Sequence, residues 1–162
     1  LIIGGEHSIT SGIIQSIITN YPELIMIQLD AHADLRDEWL GSKFSHACTM
    51  KRCLEILPSK KIFQIGIRSG TKSEFIEMNN TNRLIPHRLG ENAKYLEEAL
   101  ESFKGTPIYL TFDLDWFDPS IMPGTGTPEP GGYFWGDFAA IIEVIKSHNL
   151  IGADVVELSP KL

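Results

Sequence analysis

With 162 residues, 43% hydrophobic and 22% charged, the chain has the length and composition of a soluble globular domain able to bury a substantial core. Its net charge of −7 disfavours nucleic acid, whose phosphates are met by Lys/Arg surfaces, and suits a small cationic partner. No apolar run reaches the ~18 residues of a membrane span, and two cysteines are too few for a disulfide framework, so a cytoplasmic protein with reduced thiols is expected.

In chain order, a strand at Leu1–Ile3 runs into "GGEHS", which carries His7, and a helix follows over Ser8–Thr19. A second strand, Leu24–Asp30, ends in "QLDAHADLRD". The next helix spans His46–Leu57 and is expected to bury Cys48 and Cys53. After it come a strand at Lys61–Ile67, closed by Arg68 as a structural ion-pair partner, and a helix over Thr71–Asn80. The segment Asn92–Phe103 repeats Tyr95, Leu96, Ala99, Leu100 and Phe103 at helical spacing, with its charges on a solvated face. Strand Pro107–Asp113 leads into "DLDWFD" and then into Asp118–Gly132, a Pro/Gly-rich loop long enough to suggest function. A helix at Trp135–Ser147 and a strand at Leu150–Glu157 complete the order. Strands alternating with helices give a mostly parallel sheet covered by helices. His87 and His148 read as surface or turn residues. Trp116, Phe117, Trp135 and Phe138 read as core and pocket wall. The chain opens without Met and stops just past a strand, so a domain incomplete at both ends, and poorly stable by itself, is expected.

Four groups of ionisable residues fall where strands give way to loops: His7; Asp30, His32 and Asp34; Asp113, Asp115 and Asp118; and Glu157. In an open α/β sheet, ligands bind beyond the carboxyl ends of the strands, so these groups can converge. Each has a plainer explanation, since an Asp after a strand often caps a helix or forms an Asx-turn. The spacing weighs against it. Period-2 spacing in extended chain puts Asp30, His32 and Asp34 on one side, and likewise Asp113 and Asp115. Gathered carboxylates repel and raise one another's pKa unless a cation sits among them. Four carboxylates and two imidazoles are too many for one tetrahedral zinc and fit two metal ions with bridging carboxylates. Oxygen-rich sets with some nitrogen favour Mn²⁺, with Fe²⁺, Co²⁺ or Ni²⁺ as other occupants.

The blocks "GGEHS", "DAHADLRD", "FDLDWFDPSIMPGTGTPEPGG" and "VVELSP", in this order and spacing, resemble the signature blocks of the ureohydrolase family, which includes arginase, agmatinase and formiminoglutamase. "PGTGTPEPGG" resembles the agmatinase branch most, and sets the chain apart from deacetylases on a related fold. The resemblance implies a three-layer αβα arginase-like fold with a central, mostly parallel sheet, in one domain over residues 1–162 that lacks an N-terminal region and a last C-terminal unit. It implies two Mn²⁺ per subunit, one held by His7, Asp30, Asp34 and Asp113 and the other by Asp30, His32, Asp113 and Asp115. It further implies a metal-bridging hydroxide as nucleophile that donates a hydrogen bond to Asp34. Glu157 matches the carboxylate that receives the substrate guanidinium. His46, in "KFSHACTM", matches a proton-shuttle histidine, although "SHA" stands where "SHG" is commoner. Glu6 stands where Asp is commoner, a change expected to be harmless. The implied reaction is hydrolysis of agmatine to urea and putrescine. Guanidinobutyrate, guanidinopropionate, arginine and guanidine are the other substrates in the class. A homo-oligomer, trimeric or hexameric, is implied as well. A catalytically silent assembly subunit is the alternative outside enzymes, against which every ligand position is retained.

Overall fold

The computed structural model describes residues 1–160. Six strands, β1 (Ile2–Ile3), β2 (Ile25–Leu29), β3 (Ile62–Ile65), β4 (Leu84–Ile85), β5 (Pro107–Asp113) and β6 (Asn149–Val156), form one sheet in the order β1-β6-β5-β2-β3-β4. Every pairing is parallel, which requires crossover connections. These run through helices α1 (Ile9–Ile17), α2 (Thr49–Leu54), α3 (Lys72–Asn80), α4 (Asn92–Leu100) and α5 (Trp135–Lys146). In two of the predicted helices a 3₁₀ turn replaces part of the α-helix: His46–Cys48 precedes α2, which ends at Leu54 short of the expected Leu57, and Glu101–Phe103 completes the predicted span after α4. The sequence reading missed β4. Two residues stopped by Pro86 are too short to show a period.

The interiors of the central strands β2, β3 and β5 are buried on both faces, as their apolar runs suit. On one face Ile25, Ile27, Leu29, Phe63, Ile65, Ile108, Leu110 and Phe112 pack against Leu96 and Leu100 of α4 and Ile141 and Ile145 of α5. On the other, Met26, Ile62 and Tyr109 meet Ile14 of α1, Met50 and Cys53 of α2 and Met78 of α3. The result is the three-layer αβα arrangement. Cys48 and Cys53 are buried free thiols, and burial pushes Cys53 up to about 12, which makes it inert. Among the described residues no helix is long and apolar enough to cross a membrane.

Strand order places the site. From β2 the chain steps outward through β3 to β4, then returns to lay β5 and β6 on the opposite side of β2. The reversal between β2 and β5 is a topological switch point, where loops diverge and leave a crevice at the carboxyl ends. Leu29 and Phe112 are paired neighbours in this register, so the next residues, Asp30 and Asp113, emerge side by side.

Two sequence expectations change here. Among the described residues Arg68 makes no ion pair; its guanidinium donates to six backbone carbonyls, those of Gly66, Asp115, Trp116, Phe117, Glu129 and Pro130. It thereby ties the end of β5 to the long loop. The aromatic residues Trp116, Phe117 and Phe138 form core with Phe112 and Tyr133, including a parallel Trp116–Tyr133 stack at 4.3 Å, and none of them walls the cavity at the site.

Candidate metal centre

The predicted extended triplet at residues 30–34 is not extended throughout. β2 ends at Leu29, His32 makes a lone parallel bridge to Ser69, and Asp34 has a left-handed φ of +53°. Such backbone is uncommon away from glycine and tends to mark functional positions. In consequence Asp30 and Asp34 meet at the His7 ring, their carboxylate oxygens 3.1 and 3.2 Å from Nδ1. His32 turns the other way: its Nδ1 lies 2.8 Å from Asp115 and 3.7 Å from Asp30. Asp113 Oδ2 reaches within 3.4 Å of His7 Nδ1, while its Oδ1 accepts the Asp115 N–H at 2.9 Å.

Two donor groups therefore exist, His7–Asp30–Asp34 and Asp30–His32–Asp115, each compact enough for one ion and sharing Asp30. Local hydrogen bonds hold the shared carboxylate. Gln28 Nε2 donates to Asp30 Oδ2 at 2.6 Å, and the His32 N–H donates to Oδ1 at 2.6 Å. Asp118, the third aspartate of "DLDWFD", stays outside. It is half-buried, and hydrogen bonds from the Ser120 hydroxyl and N–H, then from the Gly132 and Gly131 N–H groups, hold its carboxyl down at about 2. For that residue the Asx-turn explanation was the right one.

The electrostatics ask for a cation. His7 is fully buried; its Nε2 sits 2.9 Å from the Thr111 hydroxyl, and its Nδ1 has no hydrogen-bond partner although three carboxylates face it. Burial, then the Asp30 charge, push the Asp34 carboxyl up to about 7 and raise Asp113 and Asp115 as well. Burial opposes a charged His32, yet the Asp115 and Asp30 carboxylates outweigh it and carry the ring up to about 11. Carboxylate oxygens with imidazole nitrogen suit divalent transition metals, and the residues present fit such ions.

Beside the cluster opens a cavity of ≈ 530 Å³ whose walls include His32, Asp34, Trp39, His46, Ser69 and Thr127. Thr127 comes from the long loop, as expected for a rim. Glu157 lies behind His7, with a left-handed φ of +65°; its Oε1 accepts the His7 N–H at 2.6 Å and its Oε2 faces Gly126. Sequence reading missed the role of Glu6. Its Oε1 accepts the His46 N–H at 2.6 Å and lies 2.8 Å from His46 Nδ1, so the residue whose change from Asp was expected to be harmless orients the candidate shuttle. The other supporting residue, Gln28, had a legible signal: an amide inside the apolar run "IMIQL".

A model of the arginase family matches residues 1–162. The chain is 37% identical to N(1)-aminopropylagmatine ureohydrolase of Synechocystis sp., over 98% of this chain and 52% of that protein. It is 36% identical to agmatinase of Bacillus subtilis, over 98% of this chain and 54% of the relative. A putative agmatinase from Clostridium difficile superposes with a TM-score of 0.88 at 43% identity, covering 98% of this chain and 58% of the other. The chain spans about half the length of the curated relatives it matches.

Proposed function

The chain belongs to the arginase family, and we propose that its protein hydrolyses agmatine to urea and putrescine. The observation that carries this reading is the pair of donor groups sharing Asp30 at the mouth of the cavity. In this reading His7, Asp30, Asp34 and Asp113 hold one Mn²⁺ and Asp30, His32, Asp113 and Asp115 hold another. Two divalent ions supply a nucleophile from water near neutral pH and offset the charge that develops during attack.

The chain's own residues do the remainder. Glu157, with Oε1 anchored on the His7 backbone, offers Oε2 to the substrate guanidinium, a charge-assisted contact that orients the carbon to be attacked. Asp34, in the cavity wall, accepts the proton of the attacking water. The same carboxylate can then pass that proton to the departing amine. His46, oriented by Glu6 on the same wall, exchanges protons with solvent. The test is urea release by the full-length Mn²⁺-loaded protein across agmatine, arginine and guanidinobutyrate. Turnover strongest on agmatine is expected; no urea from any guanidino compound would sink the proposal.

Metal uptake should depend on pH in one direction. Bound cations displace the protons held by His32, up to about 11, and by Asp34, up to about 7. Affinity therefore rises with pH, roughly tenfold per unit for each proton displaced, with Asp34 ceasing to compete above about 7. Calorimetric titration at about pH 6 and about pH 8, in buffers of different ionisation enthalpy, reads both affinity and proton release. A pH-independent affinity contradicts this expectation.

A further inference from the structure

Beneath the acidic cluster, four adjacent strands present one row of polar side chains in an otherwise apolar face. These are Gln64 of β3, Gln28 of β2, Thr111 of β5 and Asp154 of β6, paired in register and all fully buried. Burying four polar groups, one of them a carboxyl, is costly unless each is satisfied. Gln28 spends its amide on Asp30. Asp154 has no such direct contact with the cluster. Three hydroxyls converge on it: Thr111 at 2.6 Å on Oδ1, and Tyr109 and Thr10 at 2.8 and 3.1 Å on Oδ2. Burial and the Asp154 charge hold the Tyr109 phenol far above its usual pKa, so it stays a donor.

A carboxylate only accepts hydrogen bonds, so each of these hydroxyls must give it the proton. The Thr111 oxygen, its own proton spent, faces His7 Nε2 at 2.9 Å and can only accept there. In the neutral ring that a cation requires, the one proton is thereby drawn to Nε2, and Nδ1 keeps its lone pair. That is the nitrogen left without a hydrogen-bond partner, facing Asp30, Asp34 and Asp113. We infer that Asp154, acting through Thr111, is a positioning residue that fixes His7 in the tautomer whose Nδ1 binds a divalent cation. The inference rests on the metal-dependent reading of the site, and it gives the buried carboxylate a use that packing alone would not. Backing a ligand imidazole through its second nitrogen orients the ring and strengthens it as a donor.

The test is calorimetric titration of chelator-stripped full-length protein with Mn²⁺. Thr111→Val keeps the side-chain shape and removes the relay, and should weaken one of two ions by about 10- to 100-fold. Thr111→Ser restores the hydroxyl and should restore the affinity. Asp154→Asn should behave as Thr111→Val, because an amide can donate to Thr111 and release the proton from Nε2. Tyr109→Phe removes an Asp154 partner without touching the relay and should bind metal as the parent does. Parental affinity in Thr111→Val or Asp154→Asn would overturn the inference, as would equal weakening in Thr111→Val and Thr111→Ser. If Asp154→Asn fails to fold, the Val/Ser pair at 111 decides. Urea release measured alongside separates the two proposals. Parent protein that binds two ions but hydrolyses no guanidino compound overturns the reaction and leaves the relay; parent protein that binds none overturns both.

Discussion

Asp30→Asn is expected to remove both metal ions and turnover together, the largest functional loss at any position described. Asp30 belongs to both compact donor groups, His7–Asp30–Asp34 and Asp30–His32–Asp115. It is fully buried, with Oδ2 held by Gln28 and set 3.1 Å from His7, and Oδ1 held by the His32 N–H. An Asn there keeps the volume but loses the charge and turns one acceptor into a donor aimed at a cation. Several kcal/mol of charge stabilisation disappear, which at about 1.4 kcal/mol per decade is roughly a 10³-fold or greater fall in kcat/KM. Elemental analysis of the full-length variant should find both ions lost. Asp118→Asn is the matched control: a half-buried aspartate from the same run as Asp113 and Asp115, whose side-chain contacts are to its own loop, so metal content should not change. Two ions retained in Asp30→Asn would refute the bridging assignment.

That contrast shows what the residue pattern could and could not reveal. Strands were legible because their apolar runs are bounded by charge, and β5 has the predicted limits, Pro107–Asp113. Convergence of the strand ends was legible from the parallel-sheet rule alone. Side-chain direction was not. Period-2 spacing presumes extended backbone, and the left-handed Asp34 breaks it, so His32 faces Asp115 while Asp30 and Asp34 face His7. The same limit applied to Arg68, where a guanidinium among carbonyls looks no different in sequence from one beside a carboxylate. Glu6 escaped because its partner lies 40 residues away, and only the folded chain brings the two together. The polar row escaped for a different reason. Gln28, Thr111 and Asp154 each looked like one interruption in an apolar run, and only the register of four strands turns them into a layer.

Gly66→Ala should cost more stability than other small changes near the site. Gly66 follows β3 with φ +99°, a conformation that strains an L side chain by roughly 1–3 kcal/mol. There is also no room. An added Cβ would overlap the Trp116 indole and come within 2.9 Å of the Asp30 carbonyl. Trp116 cannot retreat, being fully buried and stacked on Tyr133 at 4.3 Å. Overpacking of this kind adds about 1–3 kcal/mol. The combined loss, roughly 2–6 kcal/mol, is a large part of the ~5–15 kcal/mol that typically holds a domain together. It also falls where the backbone of Asp30 is set, so metal affinity should weaken along with stability. Gly12→Ala supplies the opposite sign from the same chemistry. Gly12 lies on the exposed side of α1 with nothing within 4 Å of an added Cβ, so alanine there should stabilise by about 0.5–1 kcal/mol through helix propensity. Denaturant midpoints of the two full-length variants, compared at unchanged slope, read the difference directly. If both moved the same way, the crowding assigned to Gly66 would be wrong.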